Sequence, residues 1–295
     1  MVYNETVGSA GVTGTTASAG KGASPRPIEN TTPPIDRIAQ AFQSKAFIAF
    51  LTGGDPTLED TRRYVKILAE AGASLVEIGI PFSDPIAEGP VIQEASARAL
   101  SSATGTTPEM LFELVRALRE EDGLTIPLAL MTYLNPVHHY GYEEFFARAA
   151  DVGVDALIVP DLPFEEHAEV LPAAQANGVA LISMIAPTSS SRARKIAANA
   201  QGFIYLVSSL GVTGVRSEIT TDIGSIVDEI RQVTDVPVAV GFGISTPAQA
   251  ATMAAQADGV IVGSAIVRLI AENGSHADDA LRTYVSEMVS ALPQE

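Results

Sequence analysis

Two glutamates, Glu77 and Glu88, stand in the stretch Glu77-Ile-Gly-Ile-Pro-Phe-Ser-Asp-Pro-Ile-Ala-Glu-Gly-Pro90. The first lies inside an apolar run and the second on a proline-rich loop, a common way to build a paired-carboxylate site for proton transfer. Pro81, Pro85 and Pro90 fix φ and lack a backbone donor, so the segment after Ile80 reads as a loop leaving a strand. Side chains alternate along a strand, which puts Val76, Ile78 and Ile80 on one face and Leu75, Glu77 and Gly79 on the other. The β-branched face suits packing against helices, so Glu77 is aimed at the opposite, interior side. Loss of water there raises a carboxyl pKa toward the range useful for general acid/base work. No basic residue lies in the neighbouring apolar runs to pair with it, although a buried glutamate paired with an arginine is the structural alternative. The loop to Glu88 is long enough to fold back and present a second carboxylate to the same ligand.

A second set of residues suits phosphate. Val240-Gly-Phe-Gly-Ile-Ser245 and Val262-Gly-Ser-Ala265 are glycine-bearing strand ends, and exposed backbone amides at a helix N-terminus hold a dianion without lysine. Gly211-Val-Thr-Gly214 opens a polar loop running to about Thr221, which reads as a lid over the ligand. Each motif alone is compatible with turn chemistry. Their recurrence on successive strand ends favours phosphate binding.

These residues need a scaffold that brings strand ends together. From about residue 35 the chain alternates short apolar runs with amphipathic stretches, beginning with a helix over 35–42 and a strand over 47–52. Further strands are expected over 75–80, 127–133, 156–159, 180–184, 203–207, 237–241 and 259–262. Helical patterns fall at 58–71, 91–100, 108–119, 142–150, 165–176, 191–198, 223–233, 247–255 and 277–289. Eight βα units imply a single (β/α)8 barrel of the TIM type, with a doubly wound open sheet as the alternative. A barrel of this kind gathers its functional residues at the C-terminal strand ends and the loops that follow. Residues 1–33, rich in Gly, Ser, Thr and Pro and without apolar periodicity, read as a disordered extension of a barrel domain over 34–295.

Composition narrows the function. With 35 acidic and 18 basic residues the net charge is -17, which disfavours nucleic acid and anionic membranes as partners. Hydrophobic residues make up 46% of the chain, yet no apolar run reaches the roughly 18 residues needed to cross a bilayer. No basic stretch followed by an apolar core opens residues 1–33, so a secretory signal is not expected. The absence of cysteine removes disulfides, thiolate metal sites and cysteine nucleophiles, in keeping with a cytoplasmic protein. His138, His139, His167 and His276 show no metal-ligand spacing, and the His138-His139 pair reads as a solvated loop, so no metal site is expected.

From about residue 35 to 290 the chain resembles the tryptophan synthase alpha subunit family. The resemblance rests on Leu75-Val-Glu-Ile-Gly-Ile-Pro-Phe-Ser-Asp-Pro85, Leu210-Gly-Val-Thr-Gly214, Gly241-Phe-Gly-Ile-Ser245 and Gly263-Ser-Ala-Ile266, in order and spacing. Leu51-Thr-Gly-Gly-Asp-Pro56, Met131-Thr-Tyr-Leu-Asn-Pro136 and Val159-Pro-Asp-Leu-Pro163 support it. It implies a lyase that cleaves indole-3-glycerol phosphate by a retro-aldol reaction, without metal or organic cofactor. By the same matching Glu77 is the principal acid/base. Glu88 stands where the family usually has aspartate and stabilises positive charge at the indole N–H; Tyr205 lies beside the acid/base. Gly214, Gly243, Gly263 and Ser264 would hold phosphate, and Thr213 would order the lid. Phe50, Met131, Tyr133, Ile158 and Ile261 would line the indole pocket, ordinary barrel core being an equal reading of each. The resemblance also implies a pyridoxal-phosphate-dependent beta subunit as partner in an alpha2-beta2 assembly. Asp84 and Asn135 match contact positions, and the pyridoxal phosphate belongs to that partner.

Overall fold

The computed structural model describes residues 34–102, 105–187, 190–208, 222–241 and 243–294. The expected tail over 1–33 lies outside the described residues. Nine strands are β1 (Ala46–Thr52), β2 (Leu75–Gly79), β3 (Leu128–Met131), β4 (Ala156–Ile158), β5 (Ala180–Leu181), β6 (Ser183–Ile185), β7 (Ile204–Val207), β8 (Val238–Gly241) and β9 (Gly259–Val262). Between and around them run α1 (Pro34–Ala41), α2 (Leu58–Glu70), α3 (Pro90–Ser101), α4 (Pro108–Glu120), α5 (Leu134–Tyr140) and α6 (Tyr142–Val152). The second half adds α7 (His167–Ala176), α8 (Ser190–Ala197), α9 (Ile223–Arg231), α10 (Pro247–Ala254), α11 (Ser264–Asn273) and α12 (Asp278–Ser290).

The strands are parallel and hydrogen-bonded in the order β5-β4-β3-β2-β1-β9-β8-β7-β6. The single strand expected over 180–184 is divided at Ile182. Its first piece pairs with β4 and its second with β7, and the Ile182 N–H donates to Leu157 O at 2.9 Å. The two edges of the sheet are therefore consecutive pieces of one segment, and the sheet closes into a barrel apart from that break. Helices cover the outside, so strand residues are buried on both faces, Met184 alone being partly exposed.

Alternation sorts the apolar residues into two sets. Ala49, Leu51, Val76 and Ile78 pack outward against the helices, while Ile48, Phe50, Leu75, Met131, Ile158, Tyr205 and Ile261 form an interior cluster. Thr57, Thr107 and Thr246 cap α2, α4 and α10 by accepting the N–H of Asp60, Met110 and Gln249. Two helices were not visible in the local pattern. α5 carries Pro136 in its first turn, where the missing N–H has no partner to lose, and its Leu134 N–H is accepted by Asp161 Oδ1 from 27 residues away, at 2.8 Å. The His138-His139 pair consequently lies exposed on a helix rather than on a loop. α11 follows β9 without a side-chain cap to announce it.

The N-terminal end of the barrel is plugged by α1. Ile38 belongs to the interior cluster, and the Phe42 ring lies 5.7 Å from that of Phe203. Beneath the plug Asp155, fully buried, accepts from Arg37 Nε and Arg119 Nη2, each at 2.6 Å, and from the Leu128 N–H at 2.7 Å. Arg119 also donates to Leu124 O, Ile126 O and Gly153 O, so all three charges are deeply hydrogen-bonded. Removing one member of such a group strands the others without water. Asp155→Ala is expected to destabilise the fold by about 3–5 kcal/mol in urea unfolding; a loss under about 1 kcal/mol would contradict this account of the plug.

Candidate active site

Glu77 occupies the middle of β2, in register with Phe50 on one side and Ala129 on the other, and Ala129 is in turn in register with Ala156. The two alanines are small interior residues on the strands beyond it. The carboxyl group is 1% exposed, and neither oxygen has a hydrogen-bond partner among the described residues. Burial alone pushes its pKa up to about 8. At neutral pH Glu77 is therefore largely a neutral acid, able to give a proton and then, as a carboxylate, to take one.

Glycines make room for the aromatic rings around it. A Cβ on Gly79 would sit 2.8 Å from Phe50 Cζ, and one on Gly263 would sit 3.2 Å from Phe50 Cδ1. The Phe50 ring thus reaches from the end of β9 to the end of β2. A Cβ on Gly241 would lie 2.6 Å from Tyr205 Oη, so β8 yields its own side-chain space to that phenol. Burial, then the charges of Glu77 and Glu88, raise the Tyr205 pKa well above its ordinary value. The phenol therefore stays neutral.

Glu88 lies at the end of the loop before α3 and is 8% exposed. Tyr133 Oη donates to its Oε2, the Ala87 N–H donates to Tyr133 Oη at 2.8 Å, and Gln93 Nε2 donates to the Glu88 carbonyl at 2.8 Å. Burial raises the Glu88 pKa, the Tyr133 hydrogen bond opposes that rise, and the Asp161 charge adds to it. Tyr133 was expected only as a pocket wall. It stands past the end of β3 as the N-cap residue of α5, and its ring stacks at 5.3 Å on Phe82 while its hydroxyl anchors the loop. A further anchor escaped sequence reasoning. Arg98 on α3 grips the buried Asp55 with two hydrogen bonds of 2.8 and 2.7 Å, tying the loop after β1 to the helix that follows Glu88. Nothing local to either residue signals that pairing.

Of the expected pocket residues, Phe50, Met131, Ile158 and Ile261 share the interior cluster with Tyr205. At the expected phosphate end, Gly263 and Ser264 are the N-cap and first residue of α11, which no side chain caps, leaving first-turn N–H groups for an anion. Gly243 takes a left-handed turn at φ +85° just past β8. The N-terminus of α10 is occupied by its own Gln249, which accepts from the N–H of Ser245 and of Thr246. Thr213 and Gly214, with the whole Gly211-Val-Thr-Gly214 motif, lie outside the described residues. Asp84 and Asn135 are exposed, and Ile86, on the same loop as Asp84, is 71% exposed. Among the described residues no three His, Asp or Glu side chains cluster as a metal ion would require.

Comparison with known proteins agrees with this geometry. Residues 38–292 match the family model for the tryptophan synthase alpha chain. The chain is 53% identical over 249 residues to the tryptophan synthase alpha chain of Lactiplantibacillus plantarum, covering 84% of this chain and 92% of that one. Its fold superposes on tryptophan synthase subunit alpha from Legionella pneumophila with a TM-score of 0.78 at 34% identity, covering 88% of this chain and 98% of the other. A chain of the tryptophan synthase complex from Pyrococcus furiosus superposes with a TM-score of 0.75 at 34% identity, over 84% of this chain and 98% of that one.

The raised pKa of Glu77 has a signed consequence for stability. The folded protein binds this proton more tightly than the unfolded chain, so the contribution is full below pH 4.5 and is lost as pH climbs toward 8. Glu77→Gln keeps the shape and removes the titration. Its unfolding free energy should gain on that of the unsubstituted protein by a few kcal/mol across this window, as read from urea midpoints at a series of pH values. Parallel stability curves would show that burial does not perturb this carboxyl.

Proposed function

The chain belongs to the tryptophan synthase alpha chain family, and from that premise we propose that it cleaves indole-3-glycerol phosphate to indole and glyceraldehyde 3-phosphate. The observation that carries the mechanism is the unpartnered carboxyl of Glu77 inside the barrel. Glu77, neutral at the outset, gives its proton to indole C3, which turns the ring into an electron sink. The resulting carboxylate takes the proton from the glycerol hydroxyl on the adjoining carbon. The carbon–carbon bond then breaks, its electron pair returns to the ring, and the hydroxyl carbon leaves as the aldehyde of glyceraldehyde 3-phosphate. One proton is given and one recovered, so the group ends as it began.

Glu88 stabilises the positive charge that the protonated ring places on its N–H. Its chain is one methylene longer than the family's usual aspartate, a difference of about 1 Å at the carboxylate. The Tyr133 hydroxyl takes up that extra length by holding Oε2 against the loop. Tyr205 lends a neutral phenol to the same pocket, whose walls are Phe50, Met131, Tyr133, Ile158 and Ile261. The first-turn N–H groups of α11 at Gly263 and Ser264, with Gly243 and Gly214, take the phosphate. Thr213 belongs to the loop that covers the ligand.

Residues 34–295 act as one barrel domain, and the chemistry needs no group beyond its own side chains. Asp84, exposed on the loop after β2, and Asn135, exposed in the first turn of α5, supply the contact surface for a beta subunit, which holds pyridoxal phosphate and consumes the indole in an alpha2-beta2 assembly. The synthase complex from Pyrococcus furiosus is the structural precedent for such a partner. No helix of the described residues is long and apolar enough to cross a membrane, and the cytoplasm is the compartment in which this pathway step fits.

Indole release from indole-3-glycerol phosphate, assayed with and without a beta subunit, tests this reading. Glu77→Gln should lower kcat by about 10²–10⁴-fold with little change in KM; near-normal turnover would exclude Glu77 as the acid/base. Tyr133→Phe should lower kcat by roughly tenfold, the worth of one hydrogen bond to a charged group, and an unchanged kcat would mean that Glu88 needs no anchor.

A further inference from the structure

Among the described residues only two side-chain hydroxyls are buried without a hydrogen-bond partner, those of Thr52 and Thr132. Buried hydroxyls are nearly always paired, because the water they give up must be replaced. The two threonines differ in where they point. Thr132 follows Met131, whose side chain is interior, so alternation turns Thr132 away from the barrel axis. Thr52, 2% exposed, is the last residue of β1 and continues the interior series Ile48, Phe50, Thr52. It is in register with Gly79, which presents no side chain of its own toward Thr52, and Phe50 below it is in register with Glu77.

Sheet order gives this position a meaning. β1 lies between β2, which carries Glu77, and β9, which leads into Gly263 and the uncapped start of α11. The Phe50 ring already touches Gly79 on one side and Gly263 on the other. A ligand with its reacting carbon at Glu77 and its phosphate at α11 must lay the three-carbon chain between them across the end of β1. That chain carries the hydroxyls of the substrate.

We propose that Thr52 Oγ1 is a substrate-positioning group that hydrogen-bonds a hydroxyl of the glycerol chain of indole-3-glycerol phosphate. The inference rests on the cleavage reaction and phosphate end assigned above, and adds the group that reads the segment between them. Thr52 fixes the angle at which the carbinol carbon meets Glu77. It also makes the site choose a hydroxylated chain over a plain alkyl one, because an alkyl chain leaves the hydroxyl stranded.

Thr52→Val removes the hydroxyl at nearly constant shape, and Thr52→Ser keeps it. Binding of two phosphate esters to the complete protein would be compared by calorimetry: glycerol 3-phosphate, and propyl phosphate, which has the same chain without hydroxyls. Thr52→Val should weaken glycerol 3-phosphate by roughly tenfold, leave propyl phosphate unchanged, and lower kcat/KM for indole-3-glycerol phosphate by a similar factor, while Thr52→Ser stays near the unsubstituted protein. Its melting temperature should equal or exceed that of the unsubstituted protein, since a stranded hydroxyl has been removed. Equal loss for both esters, or loss for neither, would overturn the proposal. A protein with Thr52 intact that binds both esters yet fails to release indole beside a beta subunit would instead overturn the assigned reaction.

Discussion

The structure depends on keeping one carboxyl group dry. Glu77 sits inside a barrel with no counter-charge and no hydrogen bond among the described residues, so its proton is held by the absence of water and by nothing else. That arrangement opposes stability, since an acid with no partner is among the least favourable groups to bury. It persists because the rest of the barrel is well packed and because small neighbours, Ala129 and Ala156 among them, leave space rather than contacts around it. A polar partner for Glu77 would relieve the strain and return the carboxyl to an ordinary acid, unable to hold a proton at neutral pH.

The two ends of the barrel divide the work accordingly. At the N-terminal end Asp155 is saturated with donors from Arg37, Arg119 and the Leu128 amide. At the C-terminal end Glu77 and Thr52 are left without any. Both are buried polar clusters, but the first is closed and rigid while the second is completed only by something that enters. Between these extremes Glu88 is anchored but not saturated by charge: its Oε2 accepts from Tyr133, and its loop is held at the far side by the Arg98–Asp55 pair through α3.

Much of this was legible in the residues. Alternation in Leu75-Val-Glu-Ile-Gly79 gave the inward direction of Glu77 because the rule is local, and the eight apolar runs gave the barrel because its strands are buried on both faces. What the sequence concealed depends on distant partners. The helix α5 is capped by Asp161, 27 residues on, and its own Pro136 reads locally as a breaker. Tyr133 lies 45 residues from Glu88, and Arg98 lies 43 from Asp55. The break at Ile182 leaves no mark in Ala180-Leu-Ile-Ser-Met184, because it is set by the two different strands that the segment must serve. Thr52 reads locally as one residue of Leu51-Thr-Gly-Gly-Asp-Pro56, and its place in the interior is set by the strands on either side of β1.

The pairing of β1 with β9 in parallel register, Ala46 opposite Gly259, joins the first and last of these strands in chain order. A ribosome making this protein releases β1 early and β9 more than 200 residues later. Until then β1 has an open edge of unpaired amides, and the interior that shelters Glu77 is a trough rather than a tube. Chemistry and closure thus arrive together: the acid acquires its unusual proton only when the last strand is in place, so an incomplete chain carries the residue without the property.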